Sequence, residues 1–572
     1  EPRAAVAEFD AAADRFTLHV GCQGVFGLRN TLATEVLRIE PERLRVLAGD
    51  VGGSFGMKGA TYPEYAILLH AARDIGRPVK WADERSDSFL SDHHGRDAVV
   101  EGELALDEEG RILAVRITGL ANMGAYVAGF APAIPTMNVV KNVASLYRTP
   151  LIGVATRCVL TNTTPISAYR GAGRPEGNYY MERLLDAAAR ETGRDPVELR
   201  RGNMIPRDAL PFRAGSGLEY DSGDFEAVMD ACLDSADWAG FPARRAETER
   251  RGRLRGIGLA CYLEVTAPPG KEMGGVRFEA DGHVSIVTGT LDYGQGHAST
   301  FAQILSDILG LPFDRIRLIQ GDSDQLLVGG GTGGSRSTMA SGAAIIAAAG
   351  KVVEQGRALA AHLLETAEDD IEFAGGVFRV VGTDRSVSLL DLAAELRKEG
   401  TLPDDLPRGL DAMIVVDTPP SAFPNGCHIA EVEIDPETGA TEVASYVVVD
   451  DFGNLINPVL VEGQVHGGVV QGLGQALMER VSYDGEGNPR SGSLMDYAVP
   501  RATHVPPLAF TSHPVPATTN PLGAKGCGEA GVTGALPAVM NAVVDALSAQ
   551  GVTHVDMPAT PERLWSILRV GK

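Results

Sequence analysis

Cysteine is scarce in this chain of 572 residues, and its six copies lie far apart. None of them forms a Cys-X-X-Cys pair, which disfavours an iron–sulfur cluster or a structural zinc site within the chain. Wide scatter in a large chain fits reduced thiols better than a disulfide framework, so we expect a cytoplasmic protein. The six are Cys22, Cys158, Cys232, Cys261, Cys427 and Cys527.

Positive charge is also scarce, since 51 Lys and Arg face 75 Asp and Glu and the formal net charge is −24 at pH 7. Such a balance argues against binding to nucleic acid or to an anionic membrane surface. A bound phosphate would therefore be held by local backbone N–H groups and not by a positive field of the whole chain. No run of about 18 apolar residues is evident, so the sequence predicts no transmembrane helix, and no secretory signal is visible.

Glycine, in contrast, is abundant: 68 of 572 residues, about 12%, against about 7% in an average protein. The glycines form short runs between apolar segments, a pattern that favours tight ligand-binding turns over one flexible linker. A chain of this length predicts two or more domains. The strongly charged stretch 244–253 is typical of a solvated helix or linker, so we place a boundary near residue 245 and predict domains at 1–245 and 246–572.

The most informative glycine run is 523–531, which contains Lys525, Gly526, Gly528 and Glu529 and precedes an apolar helix. Glycine has no Cβ, so such a turn can bring the backbone close to a ligand. We interpret the run as a cofactor loop in which Glu529 is a general base. The alternative is that Glu529 is an acidic residue stabilised by the first turn of the helix that follows.

Three other glycine runs each precede a predicted helix, and the first two also follow a predicted strand. That arrangement presents free backbone N–H groups to a phosphate or a polar ring. Packing alone is the alternative explanation, a Gly/Ser linker is a further one for the third run, and His297 is expected to be buried for structural reasons. The candidate cofactor-binding residues are Gly53, Ser54, Phe55 and Gly56 in the first run, Gln295, Gly296, His297 and Thr300 in the second, and Gly334, Ser335, Arg336, Ser337 and Thr338 in the third.

Two further stretches carry candidate residues. The loop 164–176 contains Arg170 and Arg174, either of which could stabilise negative charge that develops on a substrate. A surface salt bridge is the alternative role for these arginines. The glycine-rich stretch 461–475 contains Gln464, and close helix packing explains most of its glycines without any ligand.

Taken together and in this order, the motifs resemble the molybdenum-binding large subunit of the xanthine oxidase family. That family includes aldehyde oxidases, carbon monoxide dehydrogenases and bacterial N-heterocycle hydroxylases. Each motif alone is weak, but six in the family's order span nearly the whole chain. The matching segments are 52–56, 168–171, 294–297, 333–338, Gln464 and 525–529.

The resemblance implies an α+β fold with two molybdopterin-binding domains and the active site between them. It implies a molybdopterin cofactor, in the cytosine dinucleotide form usual in bacterial members, whose dithiolene binds the metal so that the chain supplies no metal ligand. The reaction would be oxidative hydroxylation of an aldehyde or an N-heterocyclic carbon, with oxygen derived from water. In the family the residue matching Glu529 is the catalytic base, and the residue matching Arg170 lies in the substrate pocket.

Further roles follow from the same resemblance. The residues matching Phe55 and Gly56 pass beside the metal, while those matching Gln295 and 333–338 hold the pterin and the pyrophosphate. Electrons would leave through a small [2Fe–2S] subunit and a medium FAD subunit, because no segment for either group is visible in this chain. The alternatives are a non-catalytic molybdopterin-binding component of a larger complex and an unrelated protein that binds a phosphate ligand.

Three features depart from the family's pattern. The loop 169–173 has no cysteine where carbon monoxide dehydrogenases carry one, which disfavours that activity. The first glycine motif, 53–57, is poorer in glycine than usual. The family's N-terminal domain is not visible, so we expect a fragment, a processed chain or a separate polypeptide that supplies this domain. We expect the glutamine that lies near the metal to come from that missing part as well.

Overall fold

The computed structural model describes residues 1–398 and 402–570 of the chain. Within these ranges helices and strands alternate along the sequence, in agreement with the expected mixture of the two. The strands are β1 Ala4–Asp10, β2 Arg15–Val20, β3 Leu44–Leu47, β4 Val79–Ala82, β5 Ala98–Leu106, β6 Ile112–Asn122, β7 Leu151–Val159, β8 Phe212–Arg213, β9 Glu219–Tyr220, β10 Leu254–Leu263, β11 Lys271–Phe278, β12 Val284–Thr288, β13 Ile316–Ile319, β14 Ile371–Ala374, β15 Val377–Val380, β16 Ser386–Ser388, β17 Ala412–Asp417, β18 Asn425–Ile434, β19 Thr441–Asp451 and β20 Leu508–Ser512. The α-helices are α1 Val25–Asn30, α2 Pro63–Ile75, α3 Arg85–Ser91, α4 Val139–Asn142, α5 Arg174–Thr192, α6 Pro196–Asn203, α7 Phe225–Ser235, α8 Phe241–Arg250, α9 His297–Leu309, α10 Ser337–Leu363, α11 Leu389–Glu395, α12 Pro458–Leu477, α13 Ala530–Leu547 and α14 Pro561–Val570.

The strands of the described residues form three four-stranded sheets and three smaller ones. The strand orders of the larger sheets are β3-β2-β1-β4, β10-β18-β19-β20 and β13-β12-β11-β17. Each combines two antiparallel pairs with one parallel pair at an edge, namely β2–β3, β19–β20 and β12–β13. The hairpin predicted from two alternating runs joined by a glycine turn is present, because β5 pairs antiparallel with β6.

Helix α13 packs against the second sheet and is buried along almost its whole length. It packs on β10 and β18, and it approaches β10 at backbone distance because Gly258 carries no side chain that would overlap the Ala538 carbonyl. The Asn541 amide fixes the contact, since it donates to the Leu259 carbonyl over 3.0 Å and accepts from Arg183 over 2.6 Å. The helix therefore cannot shift along the sheet without breaking buried hydrogen bonds.

The same segment bears on the expectation that the chain has no transmembrane helix. Among the described residues, Ala530–Gln550 is long and apolar enough to cross a membrane. However, 94% of its most apolar window is buried inside the protein, which is the environment of a core helix in a folded domain.

The sequence predicts helices at about 63–75, 179–192 and 301–309. The first begins at Pro63 as predicted, whereas the other two begin earlier. Helix α5 begins at Arg174 and not at Tyr179, because Gly173 adopts a left-handed φ of +98° as N-cap and a proline follows at the start of the helix. Helix α9 begins at His297 and not at Phe301. These earlier starts place the first turns of both helices next to the glycine loops.

The hydrophobic cores do not follow the predicted division at residue 245. One core combines Met181 and Val228 with Ile257 and Cys427. The predicted solvated linker is helix α8, which is attached to the second half by arginine–carboxylate pairs: Arg244 contacts Glu431 at 2.7 Å. The charged stretch is thus part of the packed structure, and the domain boundary itself stays a prediction.

The glycine-rich stretch 461–475 is not a loop but part of helix α12. A Cβ at Gly468 would lie 2.9 Å from the Cα of Gly531, and a Cβ at Gly472 would overlap the Ala535 side chain. Gly468 and Gly472 thus let α12 lie directly against α13, so close helix packing explains these two glycines, as expected.

A methyl group added at Gly472 should separate these two helices. We expect Gly472→Ala to lower the free energy of unfolding by about 1–3 kcal/mol, because the new Cβ overlaps Ala535 in a close-packed contact. Gly463→Ala is the matched control, since it lies in the same helix and its Cβ would meet nothing within 4 Å. Alanine there should raise stability by about 0.5–1 kcal/mol. Denaturant titration followed by circular dichroism measures both, and equal effects would contradict the packing role.

Candidate active site

A cavity of about 1470 Å³ lies where the glycine loops of both halves meet. This volume exceeds the roughly 300–1,000 Å³ of a pocket for a drug-sized molecule, so it can hold an extended cofactor together with a substrate. The predicted site residues that line it are Gly53, Phe55, Gly56, Arg170, Gln295, His297, Thr300, Gly334, Ser335, Arg336, Ser337, Thr338, Gln464, Lys525, Gly526, Gly528 and Glu529.

Two predicted residues lie behind this wall and not in it. Ser54 is buried, and its hydroxyl donates to the side-chain carbonyl of Gln23 and accepts from the Lys58 N–H over 3.2 Å. Gly296 is the N-cap of α9, where a Cβ would meet the Leu460 side chain at 2.7 Å. Both residues shape the loops, and their predicted contact with a cofactor stays a prediction.

The Glu529 carboxylate lies at the cavity surface and is held by donors from two other segments. Its Oε1 accepts the Gly171 N–H over 2.9 Å, and its Oε2 accepts the Ser335 hydroxyl over 2.7 Å. The Arg174 guanidinium lies 3.6 Å from Oε1. Glu529 is also the N-cap residue of α13, but its side chain caps no N–H of that helix. The carboxylate therefore belongs to the cavity and not to the first turn of the helix.

The electrostatic surroundings keep Glu529 ionised. Burial is the largest single effect and raises the pKa of its carboxyl. The Arg174 charge, the Ser335 hydroxyl, the Gly171 N–H and a hydrogen bond with the Glu264 side chain together outweigh burial and hold that pKa below its usual value. A carboxylate that is ionised at neutral pH and partly open to a cavity has the protonation state a general base needs.

Arg170 is buried and connects three elements around the carboxylate. Its guanidinium donates to the Gly528 carbonyl over 2.6 Å, to the Gln471 side chain over 3.0 Å and to the Gln464 carbonyl over 3.0 Å. Burial lowers its pKa. The alternative of a surface salt bridge is wrong for Arg170, and much of its hydrogen-bonding capacity already serves to hold α12 against the 526–529 loop.

Arg174 is likewise buried and holds loops together. It donates to the Val265 carbonyl over 2.5 Å and to the Gly171 carbonyl over 2.9 Å. Its position 3.6 Å from Glu529 makes it the positive charge nearest the candidate base. The surface alternative is therefore wrong for this arginine as well.

The 526–529 loop touches the third glycine run directly. A Cβ at Gly526 would overlap the Ser335 carbonyl, so this glycine is required by contact between two backbones. Ser335 itself has a left-handed φ of +54°, a conformation that non-glycine residues rarely adopt. The strain fits a residue whose hydroxyl must reach Glu529 from a neighbouring loop.

The start of α10 is the best-placed anion site in the cavity. Ser337 and Thr338 form its first turn and line the cavity, and within the described residues no side chain caps the helix. Arg336 lies just before the first turn and donates to the Gly330 carbonyl over 2.6 Å. The start of α9 is different, because Asp292 accepts the N–H of its first residue, His297, and the N–H groups of the loop residues 294–296 before it. Uncapped N–H groups with a nearby cation suit a phosphate.

Lys525 lines the cavity with its backbone, but its charge is used elsewhere. The ammonium lies 2.6 Å from Asp451 and 3.3 Å from the Ser222 carbonyl, and both charged side chains are fully buried. Lys141 also lines the cavity, is only partly buried and forms no ion pair within the described parts of the chain. Lys141, which the sequence analysis missed, is thus a better partner for a phosphate than Lys525.

Gln23 is a second residue that sequence reasoning missed. It lines the cavity, accepts the Gly56 N–H over 3.1 Å, and donates to the Thr332 carbonyl over 2.8 Å. It thereby joins the first glycine run to the third, although 309 residues separate it from Thr332. We expected a glutamine near the metal to come from a preceding segment outside the chain, yet this chain already places one in the cavity wall.

Comparisons with known proteins agree with this geometry. Residues 1–204 and 231–506 each match the family model for a molybdopterin cofactor-binding domain. The carbon monoxide dehydrogenase large chain of Hydrogenophaga pseudoflava is 35% identical over 99% of this chain and 72% of its own length. The nicotine 6-hydroxylase large subunit of Paenarthrobacter nicotinovorans is 33% identical over 99% of this chain and 71% of its own length.

A solved structure extends the likeness to three dimensions. Quinoline 2-oxidoreductase from Pseudomonas putida 86 superimposes with a TM-score of 0.92 and 31% identity, over 100% of this chain and 74% of that one. The chain belongs to the molybdopterin-binding large subunits of the xanthine oxidase family. It is the large subunit of a molybdenum-dependent dehydrogenase or hydroxylase composed of several subunits.

The buried ion pair of Lys525 and Asp451 predicts that two lysines of the same cavity, Lys525 and Lys141, contribute differently to the stability of the chain. We expect Lys525→Met to lower the free energy of unfolding by about 3–5 kcal/mol, because Asp451 is left buried without its partner. Lys141→Met is the matched control and should change it by less than about 0.5 kcal/mol. Denaturant titration of the chain without cofactor measures both values. Unchanged stability in the Lys525 variant would contradict the stabilising role of this ion pair.

Proposed function

We propose that this chain carries the active site for oxidative hydroxylation of an aromatic N-heterocycle, with Glu529 as the general base. The observation that carries the proposal is an ionised carboxylate at the wall of a large cavity, at the meeting point of glycine loops from both halves of the chain. Such a group can accept a proton from a nucleophile that forms in the cavity.

The residues in the cavity fit a molybdopterin. The uncapped start of α10 offers N–H donors for a phosphate, and Arg336 and Lys141 offer the compensating charge. Gln295 and the backbone of the 526–529 loop offer donors and acceptors for the pterin. The size of the cavity and the two cations that line it, Arg336 and Lys141, support the cytosine dinucleotide form. When bound, the cofactor supplies the two-electron redox chemistry that side chains lack.

The chain's own residues have distinct tasks in this proposal. Glu529 accepts the proton, while the Gly171 N–H and the Ser335 hydroxyl fix the direction of its carboxylate. Arg170 keeps the 526–529 loop against α12, so the base cannot drift from the position in which it acts. Holding a reactive group in one geometry supplies a large part of an enzyme's rate enhancement.

Aromatic rings in the wall favour a planar substrate. The Phe55 and Phe130 side chains line the cavity and are 46% and 55% exposed, although large apolar rings are usually buried. Exposed ring faces bind a flat aromatic molecule by stacking. The names of the nicotine and quinoline enzymes point to the same class of substrate. We propose that carbon monoxide is not the substrate, because the loop 169–173 lacks the cysteine of that activity.

Electron transfer requires partners in this proposal. We propose a small [2Fe–2S] subunit and an FAD subunit, in agreement with the relatives that are named as large subunits or large chains. A cytoplasmic location is proposed as well, and the six free thiols of the chain support it.

Substitution of the base tests the mechanism. We expect Glu529→Gln to reduce turnover by at least about 10²-fold, because the amide cannot accept the proton. Molybdenum content should stay unchanged, since Glu529 is a proton acceptor in this proposal and not a cofactor anchor. Elemental analysis and steady-state kinetics of the complete complex provide both numbers.

The control for this substitution is Glu462→Gln, an exposed carboxylate on α12 that does not line the cavity. It should retain wild-type turnover. Undiminished turnover in the Glu529 variant would contradict the role of this residue, and a wild-type complex without molybdenum would contradict the cofactor.

A substrate screen tests the proposed specificity. With an artificial electron acceptor, the complete complex should oxidise pyridine- or quinoline-type rings and incorporate oxygen from labelled water, because the aromatic wall favours planar rings. It should not oxidise carbon monoxide. Oxidation of aldehydes alone would show that the substrate class is wrong while the reaction type is right.

A further inference from the structure

A second glutamate lies behind the candidate base, and neither the motifs nor the family resemblance drew attention to it. Glu264 follows directly on strand β10 and is fully buried. Its Oε1 lies 3.1 Å from the Ser335 hydroxyl and 3.6 Å from the Arg174 guanidinium. Its Oε2 is buried and has no hydrogen-bond partner among the described residues. A fully buried ionised carboxylate with an unpaired oxygen would be costly.

The single hydroxyl between the two glutamates limits how many of them can be ionised. Ser335 Oγ lies 3.1 Å from Glu264 Oε1 and 2.7 Å from Glu529 Oε2, and it also accepts the Glu529 N–H over 3.2 Å. A hydroxyl has one hydrogen to donate and two lone pairs with which to accept. If both carboxyls were ionised, one of them would face the Ser335 oxygen without any hydrogen between them. With a proton on Glu264, the Ser335 hydroxyl can donate to Glu529 and accept both from Glu264 and from the Glu529 N–H. Its hydrogen and both of its lone pairs are then used.

The count of nearby charges leads to the same arrangement. Arg174 is the cation within 4 Å of both carboxyls, and one positive charge compensates one negative charge. Arg170 is also close to the two carboxyls, but its N–H groups donate to Gly528, Gln464 and Gln471. The charged and titratable groups that face Glu264 are Arg170, Arg174, Tyr262, Cys527 and Glu529.

The shorter contact shows which glutamate keeps the charge. The Ser335 hydroxyl is closer to Glu529, and Glu529 has in addition the Gly171 N–H, whereas no backbone N–H of the described residues donates to Glu264. Burial raises the pKa of the Glu264 carboxyl, and the neighbouring charge of Glu529 raises it further. The two glutamates are thus driven in opposite directions, as in other pairs of carboxyl groups that share a site.

We propose that Glu264 is a neutral positioning residue whose carboxylic acid donates to the Ser335 hydroxyl, so that this hydroxyl donates to Glu529 and holds the ionised base toward the cavity. The hydrogen-bond chain runs from Glu264 to Ser335 to Glu529. The importance of Glu264 for turnover rests on the proposed function of Glu529. Its protonation state does not, since that follows from the contacts of the chain itself.

Infrared spectroscopy tests the proton directly. The full chain at neutral pH should show a carbonyl stretching band of a protonated carboxylic acid that shifts on ¹³C-glutamate labelling and is lost in Glu264→Gln. The control Glu437→Gln removes an exposed carboxyl and should leave the band in place. If Glu264→Gln leaves every such band unchanged, Glu264 is ionised and the proposal is wrong.

The pH dependence of unfolding is an independent test of the same proton. The folded chain holds a proton on Glu264 that the unfolded chain releases above the ordinary glutamate pKa, so its contribution to stability is present at low pH and is lost as pH rises. The difference between the unfolding midpoints of wild type and Glu264→Gln should therefore decrease as the pH is raised from about 5 to about 8. A difference that does not change with pH would overturn the proposal.

Kinetics of the complete complex separate a positioning role from simple packing. Glu264→Leu fills the site but donates nothing, and we expect kcat to fall about tenfold with an unchanged KM, the effect of one hydrogen bond. Glu264→Gln can still donate to Ser335 and should restore kcat to within about twofold. Equal losses in both variants would contradict the hydrogen-bond chain. If the wild-type complex hydroxylates nothing, the proposed function fails, and the spectroscopic and unfolding results still decide the state of Glu264.

Discussion

The arrangement of the cavity depends on the contact between the Glu529 carboxylate and donors from two distant segments. Gly171 and Ser335 lie 358 and 194 residues before Glu529, yet both bind this one side chain. A carboxylate at this depth is stable only while its donors remain, because the loss of one leaves buried charge uncompensated. The three loops are therefore bound to each other through the very group that we propose for the chemistry, and the base is positioned before any ligand arrives.

The scaffold behind these loops explains why they keep their position. Helix α13 begins directly after Glu529 and is locked to β10 by glycine contacts and by Asn541. Helix α12 lies against α13 at Gly468 and Gly472, and Arg170 fixes it to the 526–529 loop. The base thus stands at the end of a rigid helix and not on a mobile loop. Sites supported by regular elements hold a reactive group more accurately than sites on free loops.

Local sequence patterns are sufficient to predict several of the helices and glycine loops of this structure. Helix α2 has a proline in its first turn and a left-handed glycine at its end, and its predicted bounds agree with the structure. The glycine loops before α9 and α10 are also signalled locally, because a strand, a turn and a helix follow one another. The partners of the charged residues are not signalled in this way. Nothing near Lys525 in the sequence indicates that Asp451, 74 residues earlier, takes its charge, and nothing near Gln23 indicates Thr332. Nothing near Glu264 in the sequence distinguishes it from an ordinary residue at the end of a strand either.

Some cations of the cavity are paired with carboxylates, and others are available to a phosphate. This division explains how an acidic protein can hold an anionic cofactor. The net charge of −24 repels a phosphate at long range, but that repulsion is screened beyond about 8–10 Å at physiological salt. Inside the cavity the balance is local. Lys525 is already paired with Asp451 and Arg174 with Glu529, so their charges stabilise the fold and the base. The attraction for a phosphate falls to the neutral N–H groups at the start of α10 together with Arg336 and Lys141. The general base therefore does not compete with the phosphate for the same cations, which allows one cavity to hold an anionic carboxylate and an anionic cofactor together.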